Sequence, residues 1–182
     1  MLGAVEGQPL DEVFEDLLPS GVRPVLLRQI GEFLAKLHVA GHPQTPRLSD
    51  LICKNPEAAR RGVLQVAIID LDLKGRPARL AQRKPSDFVN ALARAAYTFL
   101  RGRHRLASQF EMRMFFRGYN RELRQHGVRL PKGYLRTIVA RVNHHLEKHS
   151  SDPRLSRLVP NMPKSLDEIL TKARPPVTGR KI

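Results

Sequence analysis

From Pro24 to Ala40 the apolar residues Leu27, Ile30, Phe33, Leu34 and Leu37 recur at intervals of three and four, which puts them on one face of a helix. Pro24 suits the first turn and Gly41 ends the element. The same spacing predicts three more helices. Phe88, Leu92, Ala95, Ala96 and Phe99 share a face after Pro85-Ser86. Met112, Phe115, Phe116, Tyr119 and Leu123 share one over Leu106–Gln125, and Leu135, Ile138, Val139, Val142 and Leu146 share one over Tyr134–Lys148. A shorter helix is predicted over Asp11–Leu18, with acidic groups in its first turn, where the macrodipole favours them. The rhythm changes at Val63-Leu64-Gln65-Val66-Ala67-Ile68-Ile69, whose β-branched residues predict a buried strand. Residues 1–10 turn at a Gly and a Pro and read as the end of a strand entering a loop. Beyond Ser150 the apolar pattern lapses into a basic, proline-containing tail, residues 150–182. Its one predicted helix, Ser165–Leu170, opens on the capping-box sequence Ser165-Leu166-Asp167-Glu168.

With 182 residues and 41% apolar content the chain suits one domain with a real core, here residues 1–149 followed by the tail. Charge alters the picture more than size does. Lys and Arg outnumber Asp and Glu by 32 to 17, and a formal charge of +15 attracts polyanions: nucleic acid, anionic lipid or a phosphorylated glycolipid. A single cysteine, Cys53, excludes an internal disulfide and a multi-cysteine zinc site. No apolar run is long enough to span a bilayer, and no secretion signal is visible, so membrane contact is expected to be peripheral. His38 and His42 stand four apart, but Gly41 and Pro43 end the helix between and after them. His144 and His145 are adjacent, so their rings diverge by about 100° and do not chelate together.

The candidate chemistry lies in Leu48-Ser49-Asp50-Leu51-Ile52-Cys53-Lys54-Asn55 and Val66-Ala67-Ile68-Ile69-Asp70-Leu71-Asp72. Asp50 opens a short loop, Asn55 follows at the fifth position, and Asp70 ends the apolar run. Three oxygen-bearing groups in that order suit a Mg²⁺ site on a hairpin, where each is fixed by backbone. By itself Asp50 also suits a helix cap or a turn.

These two stretches resemble the catalytic and metal-binding loops of the protein-kinase-like fold. The ending Ile69-Asp70-Leu71-Asp72 is similar to that of the lipopolysaccharide kinase family, as is the helix closing on Leu37-His38-Val39-Ala40-Gly41. Asn90-Ala91-Leu92-Ala93-Arg94 is reminiscent of a segment that follows the metal loop there. The resemblance implies an α+β, mostly α fold: a kinase-like C-terminal lobe with a small β-hairpin carrying the catalytic and metal loops, the N-terminal lobe absent, and residues 1–10 as a hinge remnant. It implies ATP and Mg²⁺ as cofactors. Asp50 would accept the proton of a sugar hydroxyl, Asn55 and Asp70 would bind Mg²⁺, and backbone at Val5, Glu6 and Gly7 would meet the adenine. The acceptor would be a lipid-linked sugar or other phosphorylated glycolipid, and the location cytoplasmic, at the inner face of the membrane. Two departures accompany the match. Leu48 stands where the family carries a histidine, and no glycine-rich loop or phosphate-binding strand lysine is present. Either the missing lobe lies upstream of a fragment, or the lobe serves another purpose.

Lys74–Lys84 reads as an exposed basic loop, either a solvated charge run or, as the resemblance implies, a segment that would help hold the acceptor, with Asp72 pairing to Arg76 or Arg79. Arg113, Arg117, Arg121 and Arg124 gather opposite the apolar stripe of their helix. They are either a solvated face or, with Arg101, Arg103 and Arg105, a surface for an anionic substrate or membrane. The rival readings are a catalytically inactive kinase-like lobe and a basic nucleic-acid-binding or anionic-surface-binding protein. An aromatic content of 5% argues against nucleic acid.

Overall fold

In chain order the elements are β1 (Gln8–Pro9), α1 (Leu10–Glu15), α2 (Val22–Val39), a 3-10 turn (Leu48–Asp50), β2 (Leu51–Cys53), α3 (Pro56–Arg60), β3 (Val66–Ile68), α4 (Pro85–Gly102), α5 (Gln109–Gln125) and α6 (Tyr134–Lys148). They come from a computed structural model that describes residues 6–15, 18–19, 21–42, 46–69, 83–102 and 109–148.

Helix α2 packs along α5 and buries Leu26, Leu27, Ile30, Leu34, Ala35 and His38. Phe33 and Leu37, placed on the same face by the spacing, lie half-buried at its edge. Two glycines let the helices touch. A Cβ on Gly31 would overlap the carbonyl oxygen of Phe115, and one on Gly118 would overlap that of Arg28. Backbone therefore meets backbone at this crossing, closer than side chains allow. Helices α4 and α6 form a second pair. The core joins Leu10, Phe14, Leu51, Phe88, Leu92, Tyr119, Leu123, Ile138 and Val142.

The strands form one antiparallel sheet in the order β1-β2-β3, with Gln8 opposite Cys53 and Leu51 opposite Ile68. Gln29 of α2 anchors the connection into β3: its amide nitrogen donates to the Gly62 carbonyl at 2.7 Å and its oxygen accepts from Leu64 N–H at 2.9 Å.

The mostly helical α+β character matches the sequence reading, and several boundaries differ from it. The described part of α1 is Leu10–Glu15 and that of α5 is Gln109–Gln125, with residues 16–17 and 103–108 outside those described. After Asn55 the segment Pro56–Arg60 is helical: Asn55 caps it, Pro56 fills its first position and Glu57 complements its dipole. A strand directly after Asp50 was not expected, because three apolar residues have too little length to reveal a period. The strand expected over residues 63–69 is only Val66–Ile68, since Leu64 is held by Gln29. The tail after Ser150 lies outside the described residues.

Candidate functional site

Asp50 closes the 3-10 turn that leads into β2, and this turn sits against α1, β1 and α4. One carboxylate oxygen accepts from Arg47 N–H at 2.8 Å, and the other faces the Ser49 hydroxyl at 3.4 Å. The first contact fixes the carboxylate on its own turn. The second is long and leaves that oxygen with bonding capacity. Leu48 is 4% exposed and anchors the turn by apolar burial.

Asp50 also accepts, through its carbonyl, the Ile69 N–H at 2.9 Å. This bond extends the β2–β3 ladder past Leu51 and Ile68 and sets the residue before Asp70 beside Asp50. Asp70 itself lies outside the described residues.

Asn55 stands at the other end of the same strand. Its side-chain oxygen accepts from Ala58 N–H at 2.9 Å and caps α3. Between the two residues, Leu51 to Cys53 pair with β3 and Lys54 N–H bonds to Gln65. That ladder from Leu51 to Lys54 spans roughly 10 Å at the ordinary strand rise.

Glu6 and Gly7 lie toward the Asn55 end, because Gln8 pairs with Cys53 and the strands run antiparallel. Gly7 has φ +144, and a Cβ there would stand 2.5 Å from the Cys53 carbonyl oxygen, so the approach of this segment to β2 requires glycine. Val5 is outside the described residues. The expected residues thus divide between the two ends of β2. Asp50 and Ile69 mark one end; Asn55, Glu6 and Gly7 mark the other. Cys53, fully buried in between, has its thiol pushed up by burial, an effect partly offset by the Asn55 backbone.

Arg113 and Arg117 are exposed on α5. Arg121 is exposed too, with Glu32 at 3.9 Å, a pair that Arg28 of α2 shares at the same distance. Arg101 falls within α4, but its side chain lies outside the description, as do Arg103 and Arg105 entirely. A shallow, open depression of about 470 Å³ on α6 is lined by Arg136, Thr137, Ala140, Arg141 and His144, none of them part of the motif region.

Sequence reasoning missed a polar cluster that bears on the site. His38 Nδ1 and the Tyr119 hydroxyl, both fully buried, meet at 2.7 Å. Burial pushes the Tyr119 phenol up, and the charge of Arg83 partly offsets this. Arg83 donates to the Gly41 carbonyl at 2.6 Å. It therefore ties the residue where the path to Asp50 begins to the residue where the 70–82 segment ends. A buried histidine near the close of a helix was the one signal available for this cluster.

Comparison of the chain with protein-family models, with curated proteins and with solved structures returned no match. Among the described residues, no three His, Cys, Asp or Glu side chains gather as metal ligands, and no helix is long and apolar enough to cross a membrane. One carboxylate with free acceptor capacity is a donor set that Mg²⁺ accepts when substrate phosphates supply further ligands. Asp50 provides such a group.

Proposed function

We propose that this chain is the larger lobe of an ATP- and Mg²⁺-dependent phosphotransferase resembling the lipopolysaccharide kinases, acting on a sugar hydroxyl of a lipid-linked glycan. The observation that supports this reading is the Ile69 N–H bond to the Asp50 carbonyl at 2.9 Å, which sets Asp50 beside the residue that precedes Asp70 in the chain. Asp50 orients the acceptor hydroxyl and takes its proton late in the transfer. Asp70 is the residue that would hold Mg²⁺. When bound there, the ion would neutralise the charge on the transferring phosphate. Phosphoryl transfer depends chiefly on such positioning and neutralisation, so a carboxylate is a sufficient base. Asn55 serves the same hairpin by capping α3.

Calorimetric titration with ATP, with and without Mg²⁺, tests the proposal beside Asp70→Asn and Asp50→Asn. The expected outcome is Mg²⁺-dependent binding that Asp70→Asn weakens at least about tenfold, followed by γ-phosphate transfer to a lipid-linked sugar that Asp50→Asn abolishes. The same titration on the chain extended by any upstream coding segment covers the case in which a second lobe is required. Silence in both forms would sink the kinase mechanism. A second reading, a basic polyanion-binding protein, draws on the exposed Arg113 and Arg117. It predicts that neutralising Asp50 and Asp70 leaves nucleic-acid binding equal or tighter.

A further inference from the structure

We propose that the solvent face of α5 docks on an anionic lipid bilayer, with Phe110 as its apolar anchor. The inference is independent of the phosphotransfer reading and rests on the geometry of one helix. At about 100° per residue, Phe110, Arg113, Met114, Arg117, Arg121 and Arg124 fall within an arc of about 100° on the side opposite Phe115, Tyr119 and Leu123. The row is about 21 Å long from Phe110 to Arg124. All four arginines are exposed, and Phe110 is 60% exposed.

Both acidic residues of α5 point the other way. Glu111 is buried and pairs with Arg23 at 2.9 Å, while Glu122 is buried with His126 at 3.3 Å. The outward charge of this helix is therefore wholly positive, apart from Glu32 of α2, which flanks Arg121.

Charge complementarity calls for an anionic occupant, and the exposed ring selects among them. Single-stranded nucleic acid is held on platforms of several aromatic side chains. Here the large apolar side chains exposed among the described residues are Val63, Ile69 and Phe110, of which only Phe110 is aromatic. One aromatic side chain at the end of a row of arginines suits a bilayer surface, where the ring enters the acyl boundary and the guanidinium groups meet lipid phosphates.

The chain contains no tryptophan, so Phe110→Trp supplies a single fluorescent reporter. The full chain is expected to cosediment with vesicles containing phosphatidylglycerol and not with phosphatidylcholine alone, with a blue shift of the Phe110→Trp emission on the former. Arg113→Ala combined with Arg117→Ala should weaken that binding roughly thirtyfold, and Phe110→Ala about tenfold. Equal retention on both vesicles, retention on neither, or affinity indifferent to these variants overturns the proposal. So does an emission shift produced by single-stranded DNA and not by vesicles, which would make this face a nucleic-acid surface.

Discussion

Tyr119 holds its proton more tightly in the folded chain than in the unfolded one, because burial penalises the phenolate more than the Arg83 charge favours it. From an unfolded value of 10.0 the folded value is raised. Its contribution to stability is thus fully present below pH 10 and is lost as pH rises above that. Thermal unfolding between pH 8 and 12 should show a steep alkaline loss that is shallower in Tyr119→Phe. The variant should also be less stable at neutral pH by about 1–2 kcal/mol, since buried His38 loses a partner. An alkaline limb of equal slope in both proteins would count against this account. The periodicity placed Tyr119 on a buried face. Its pairing with His38 was not legible, because the two residues lie 81 positions apart and meet only through the way their helices cross.

At the scale of elements, that crossing depends on Gly31 and Gly118. A methyl group at Gly118 meets the Arg28 carbonyl, which as helical backbone has no room to yield. Gly118→Ala should cost about 2–3 kcal/mol or more and lower the melting temperature by roughly 4–12 °C. A variant that melts like the parent would show that the helices separate freely. The capped helix α3 offers a different test. Asn55→Ala should cost about 1 kcal/mol in denaturant unfolding, while Asn55→Asp keeps the cap. Loss of Mg²⁺-dependent ATP binding in Asn55→Ala with stability unchanged would instead make the amide a metal ligand. Both signals were partly visible in the sequence: a glycine inside each apolar helix, and an Asn-Pro-Glu start. Neither glycine could be matched to its partner without the packing.

Over the whole molecule, charge and motif lie on different elements. Asp50 and Ile69 meet at one end of the sheet, while α5 carries an outward row of arginines. The long helices, their buried faces, the net charge of +15 and the presence of an Asp50–Asp70 motif followed from the sequence alone. Each is a local or additive property: a helical face is set by spacing within about two turns, and charge by counting. Tertiary structure decided the rest. Asp50 and Asn55 are five positions apart, and the residues between them lie in a strand that carries them to opposite ends of the ladder. Asp50 and Ile69 are far apart in sequence and share a hydrogen bond. Such distances depend on strand register and helix crossing, which are fixed only when the core packs against partners remote in the chain.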